Sequence, residues 1–308
     1  MNTIIIKKSE LKNKLLKQEA SKLRFVWICL APILLFFLVF SIVPIIWDII
    51  ISFQNYNLFG SSTFSGFNNY IRIFNMDKIG NIFINTFVFA IVTSVLNICI
   101  SLFVSYTIYT FKSQRVKDFF RTTLFLPVVL PIVAISYIWI VMFDPMTGIV
   151  NILIKHLGYK TVIFWLQEPK LAMVSIIMIT LFVDVGYNLI LLLTGLENIP
   201  KTFKEAALID GAKGWKLFTK VILPLLSRTM LFVCTMTVIS YFQVFNQIHL
   251  LTRGGPDLAT EVLSYTIYKT AFTYTDYGLA SSVSIVLLII ILIITQIQIK
   301  VGKSDWEY

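Results

Sequence analysis

Six stretches nearly free of charge punctuate the chain, at residues 25–47, 79–111, 122–143, 171–196, 229–248 and 277–299. About 20 consecutive apolar residues cross a bilayer core as helix, so each stretch is long enough. None alternates strictly between apolar and polar positions, which leaves helices rather than barrel strands to satisfy the backbone in lipid. The pattern predicts an all-α polytopic membrane protein with six transmembrane helices. Pro32 and Pro44 lie in the first stretch, and Pro127 and Pro131 open the third, so both should kink inside a bundle. The connection 52–78 holds Gly60, Gly66 and several Asn and predicts turns with a short surface helix. The connection 144–170 predicts a short amphipathic helix after Pro145, and Thr252-Arg253-Gly254-Gly255-Pro256 a sharp turn. No connection is long enough for a separate domain.

Composition agrees: 57% of the 308 residues are hydrophobic and only 14% charged, where soluble domains carry about a quarter. The net charge of +10 would point to nucleic acid in a soluble protein, but its placement gives another reading. Nineteen of the 26 Lys and Arg fall in residues 1–24, 112–121, 201–228 and 299–308, all on one side of a six-span chain. The positive-inside rule then places both termini in the cytoplasm. Topology and attraction to anionic membrane lipid account for the surplus, and no nucleic-acid partner is expected. The chain divides into a basic segment 1–24, a transmembrane domain 25–299 and a tail 300–308. The basic segment fits an amphipathic helix on the inner leaflet or a solvated tail. It lacks the small-residue site of a cleavable signal.

No catalytic or metal chemistry emerges. Cys29, Cys99 and Cys234 all fall within spans and read as small packing residues. His156 and His249 are isolated, so no metal ligand set is expected. Gly302-Lys303-Ser304 lacks the first glycine of a phosphate loop, since position 297 is Ile.

The most distinctive segment joins the fourth and fifth stretches, residues 197–224. Pro200 suits the first position of a helix over 201–209, about two and a half turns. Asp210-Gly211 then breaks it, with glycine free to turn left-handed. A second helix over 215–222 should run until Pro224. Ala206 and Ala207 permit close approach by another surface, with Lys201, Lys204 and Glu205 as charged anchors. Trp215 and Phe218, three apart, can pack the loop back on the bundle. Such a loop is built to seat in a partner's groove.

Glu205-Ala206-Ala207, three residues, Gly211, nine residues, Val221, one residue and Leu223-Pro224 resemble the loop of permease subunits in binding-protein-dependent ABC importers. Val221 stands where that family usually has isoleucine. Leu251 to Pro256, then Thr260-Glu261-Val262-Leu263 and Tyr268-Lys269-Thr270-Ala271-Phe272, are similar to the sugar-uptake branch. Within it, they resemble the subunit type of the larger maltose permease and the first glycerol-3-phosphate permease. The resemblance implies the type I importer fold in the bacterial cell membrane. It implies an ATPase-coupling role for Glu205, Ala206, Ala207, Asp210, Gly211, Leu223 and Pro224. It also implies a second homologous permease, two ATP-binding-cassette subunits holding the ATP and Mg, and an extracytoplasmic sugar-binding protein. No cofactor resides in this chain.

Polar side chains inside spans are costly and therefore informative. Asp184 and Asn188 in the fourth stretch, and Thr237, Tyr241, Gln243 and Asn246 in and around the fifth, are the candidates. By the maltose-permease pattern, Thr180, Val183, Asp184, Tyr187, Thr237 and Tyr241 match sugar-site positions. Val128 and Ile132 match two more but are apolar. Asp184 replaces an expected glycine, so the pocket chemistry differs and maltose is not implied. Asp184 either faces substrate or pairs with the sister subunit. The reading is thus an ABC permease moving a carbohydrate, an oligosaccharide or glycoside, by alternating access. The competing readings are an ion-driven secondary transporter, with Asp184 as proton carrier, and an ABC permease for another solute.

Overall fold

A computed structural model describes residues 22–56, 62–158 and 161–302, and these are almost wholly helical. Most of the basic segment, Gly60 and residues 303–308 lie outside the described residues. Among the described residues, five helices are long and apolar enough to cross a membrane, and a pair bent on itself makes a sixth if it counts as one span. The first span, α1, runs Lys22–Ser52. Pro44 cannot donate to the preceding turn, and α1 absorbs this by widening to a π turn at Leu38–Ile42 rather than kinking sharply. A two-residue ladder, Gln54–Asn55 against Thr63–Phe64, and the short helix α2, Asn68–Phe74, follow.

Helix α3, Ile79–Thr110, reads inside out relative to a soluble helix. Its buried positions include Thr86, Ala90, Thr93, Asn97, Ser101 and Ser105, while Val88, Ile91, Val95 and Phe103 are exposed. Lipid offers no hydrophobic drive between helices, so small and hydrogen-bonding side chains form the seam. That seam lies against α7, Pro169–Glu197, the most enclosed helix of the bundle.

The expected third span, 122–143, is not one helix. It consists of α4, Gln114–Val129, and α5, Ile132–Met142, meeting at 93°. Leu130 before Pro131 is forced extended, at φ −76 and ψ 141, and Pro131 has no N–H to continue the ladder. Helix α4 crosses α7 at Gly186, where an added Cβ would stand 2.2 Å from the Leu124 carbonyl oxygen. The expected amphipathic helix after Pro145 is α6, Ile149–His156. Asp144 accepts from the Met146 and Thr147 amides and the Thr147 hydroxyl ahead of it, which holds its carboxyl below the usual range.

Beyond α7 come α8, Lys201–Ile209, and α9, Gly214–Leu217, then a wide turn Phe218–Ile222 and α10, Leu223–Leu225. The second loop helix therefore passes through Pro224 instead of ending there. Proline sits near the start of α10, where its missing donor is harmless. The fifth span is α11, Ser227–Phe242, interrupted at 243–245 before α12, Asn246–Leu251. Helices α13, Leu263–Tyr268, and α14, Tyr277–Gly302, complete the described chain.

Candidate functional site

Helices α3, α7 and α11 meet around a chain of buried polar groups. Asn97 Nδ2 donates to Tyr241 Oη at 2.8 Å, and Asn97 Oδ1 accepts from Asn188 Nδ2 at 2.7 Å and from Ser101 Oγ at 3.2 Å. Asn188 Nδ2 also donates to Thr237 Oγ1 at 2.8 Å, and Ser101 Oγ to the Val185 carbonyl at 3.1 Å. In an apolar surround, each of these groups would be costly unpaired, so the network fixes the three helices in register. The Tyr241 hydroxyl lines the same cavity as Asp184.

This network forms the wall of a cavity of about 260 Å³, lined by Val128, Asp184, Tyr187, Asn188, Met236, Thr237, Ser240 and Tyr241. Five of the nine candidates for substrate contact thus come together: Asp184, Tyr187, Asn188, Thr237 and Tyr241. They arrive from helical spacing, since 184, 187 and 188 share one face of α7, and 237 and 241 one face of α11. Val128, the apolar match on α4, joins them just before the elbow.

Thr180, Val183, Gln243 and Asn246 do not line the cavity. Thr180 is fully buried and its hydroxyl bonds back to the Ile176 carbonyl at 2.8 Å. Val183 is buried in the bundle. Gln243 caps α11 and Asn246 opens α12, so the helix break turns both to the exposed surface. Sequence reasoning missed Asn97, Met236 and Ser240. Asn97 was detectable, because Thr93, Asn97, Ser101 and Ser105 recur at helical spacing within an otherwise oily run.

The loop 197–224 is a folded unit. Helix α8 ends in a Schellman turn: Ala212 N donates to Ala207 O at 2.9 Å, Gly211 N to Leu208 O at 3.1 Å, and Gly211 has φ +79. Ala207 and Ala212 are buried together with Leu217, Phe218, Ile222 and Leu226 beneath the loop. Phe218 packs on Tyr106 of α3, ring centroids 4.5 Å apart, while Lys204 Nζ lies 5.1 Å over the Tyr109 ring. The outward face carries Phe203, Glu205, Ala206, Leu208, Ile209, Asp210 and Gly211, with Ile209 87% exposed. Of the alanine pair, Ala206 faces out and Ala207 anchors the loop inward. Trp215 touches Phe218 but is itself mostly exposed, so Phe218 is the anchor. Leu223 is half-buried and Pro224 exposed at the loop's far end.

At the opposite end of the bundle, the Gly-Gly-Pro segment is knitted to α3 and α13. Asn85 Nδ2 donates to the carbonyls of Leu258 and Glu261, and Thr86 Oγ1 accepts from Leu263 N at 2.9 Å. Buried Glu261 pairs with Lys269 at 2.7 Å and accepts from Thr266 at 3.0 Å.

A bundle of apolar spans around a small polar cavity, with a folded peg at one end, is the architecture of a membrane permease. Residues 98–300 match the model of the binding-protein-dependent transport system inner membrane component, and the chain belongs to that family. It is 31% identical over 283 residues to a probable ABC transporter permease protein of Bacillus subtilis, covering 91% of this chain and 97% of that one. It is 28% identical to the sn-glycerol-3-phosphate transport system permease protein of Agrobacterium fabrum, over 92% and 96% of the two chains. Its fold matches a chain in the crystal structure of a bacterial alginate ABC transporter in complex with alginate pentasaccharide-bound periplasmic protein. That TM-score is 0.82 at 20% identity, covering 93% of this chain and 96% of that one. The protein is therefore a multi-pass membrane component of an ABC transport system, a transport subunit and not an enzyme.

Proposed function

We propose that this chain is one of two homologous permease subunits of an ATP-driven carbohydrate importer. The cavity beside Asp184 carries the reading, because hydroxyl and carboxylate groups gathered on α7 and α11 suit the hydroxyls of an oligosaccharide or glycoside. The named cargoes of its relatives, sn-glycerol-3-phosphate and alginate, support a polyhydroxylated substrate. Thr237, Tyr241 and Asp184 bond the substrate, Tyr187 stacks on it, and the sister permease closes the open side.

The loop 197–224 acts as the coupling peg, in the cytoplasm with both termini. Its exposed face, from Glu205 to Gly211, seats in one of two ATPase subunits, which hold the ATP and Mg. Phe218 and Ala207 tie the peg to α3 and α7, so that movement of the ATPases rocks the helices lining the cavity. An extracytoplasmic sugar-binding protein delivers cargo at the opposite end. Differential binding of ATP to one arrangement drives the alternation.

The test uses the intact assembly in proteoliposomes, with a panel of sugars presented on the cognate binding protein. ATP-dependent uptake of a sugar, lost in Glu205→Lys together with ATPase association, is the expected result. Uptake by this chain alone on an ion gradient, without ATP, would overturn it.

A further inference from the structure

The cavity carries one carboxylate, Asp184, that no cationic side chain among its described lining residues balances. Among the described residues its polar lining is Asp184, Tyr187, Asn188, Thr237, Ser240 and Tyr241, with no Lys, Arg or His. The directions of the hydrogen bonds sharpen this. The Asn97 amide nitrogen can only donate, and it donates to Tyr241 Oη. The tyrosine proton is thereby left free for the cavity, which Asp184 also lines. Both protons of the Asn188 amide nitrogen are committed, to Asn97 Oδ1 and Thr237 Oγ1. The hydroxyls that remain can turn either way, so the sign of the cavity is set by the Asp184 carboxylate.

A sugar hydroxyl or an ammonium group supplies the donor such a site lacks. A phosphate or sugar carboxylate brings only acceptors and a like charge into a poorly screened space. We propose that this cavity passes neutral or aminated sugars and rejects acidic or phosphorylated ones, a selectivity opposite to the anionic cargoes named for its relatives. The inference deepens the carbohydrate reading above and rests on it.

The charge can be probed without knowing the substrate. In the intact assembly, with Cys29, Cys99 and Cys234 changed to Ser, Ser240→Cys places a thiol on the cavity wall. Its modification rates by a trimethylammonium and by a sulfonate methanethiosulfonate reagent are then compared with those of free cysteine. The expected cation preference is on the order of tenfold above free cysteine, falling towards the free value in Asp184→Asn. Should Asp184→Asn fail to assemble, the ratio with Asp184 in place decides alone. A ratio equal to free cysteine, or one indifferent to Asp184, overturns the proposal, because the sister subunit then neutralises the charge. A second arm presents neutral, aminated and acidic versions of each sugar, and equal uptake of the acidic forms also overturns it. Failure of every sugar with the cation preference intact would instead sink the carbohydrate reading and leave the charge selection standing.

Discussion

Gly186→Ala isolates the crossing that sets the width of the cavity. The new methyl would stand 2.2 Å from the Leu124 carbonyl oxygen, and 3.0 Å from the Leu124 carbonyl carbon and Phe125 Cα. All three are backbone atoms, so no rotamer change relieves them. A carbon–oxygen contact settles at about 3.3 Å, so α4 must retreat from α7 by about 1 Å. Overpacking of this kind costs about 1–3 kcal/mol. Val128 moves with α4 and carries the displacement into the cavity wall. Two glycines of the same chain serve as controls. A Cβ at Gly195 meets side-chain atoms only, Thr229 Oγ1 at 2.7 Å, Thr229 Cγ2 at 2.8 Å and Leu226 Cδ1 at 2.9 Å, which can shift where backbone cannot. At Gly80, in the first turn of α3, it meets nothing within 4 Å, and alanine gains at most a part of the about 1 kcal/mol it gains in a helix interior. Melting of the assembly in lipid nanodiscs should rank Gly80→Ala at or above the parent, then Gly195→Ala, then Gly186→Ala, with initial uptake falling in the last. Adding Thr229→Ala should relieve most of the Gly195→Ala cost, leaving the Leu226 contact, whereas Leu124→Ala should not rescue Gly186→Ala. A Gly186→Ala protein that melts and transports like the parent would refute the reasoning.

Three further outcomes are expected. Asn97→Leu removes three hydrogen bonds at about 0.6 kcal/mol each in a membrane interior; it should lower the melting point by about 2 kcal/mol of stability and raise the uptake KM more than it lowers binding-protein affinity. Gly211→Val should cost about 1–2 kcal/mol through its positive φ alone, since nothing lies within 4 Å, and Gly211→Asn less; ATPase coupling measured in proteoliposomes should follow the same order. Glu261→Gln strands the largely buried Lys269 ammonium and should destabilise by about 3–5 kcal/mol, with Lys269→Met added as the rescue, read by thermal melting.

The spans were legible because length and apolarity alone define them, and the loop because Pro200, Gly211 and the charged positions mark its turns. The elbow at Leu130-Pro131 was only half legible. Two prolines announce a disturbance, but whether a helix bends gently or turns by 93° depends on what it packs against, here the bare backbone of Gly186. The inward face of the cavity followed from helical spacing at 184, 187, 188, 237 and 241. The same arithmetic failed at Gln243 and Asn246, because it assumes an unbroken helix and α11 stops at Phe242. Asn97 escaped for a different reason: an apolar window average hides a polar stripe that only a period-specific count would reveal.

The seam of α3 reverses the usual map of mutational tolerance. Exchanges among the exposed Val88, Ile91, Val95 and Phe103 merely trade one oil for another on the outer face of the helix. Trimming the single hydroxyl at Ser101 removes mortar from the joint between two beams. Engineering this permease for ruggedness would therefore mean leaving its greasy exterior to drift and guarding its smallest, least conspicuous side chains.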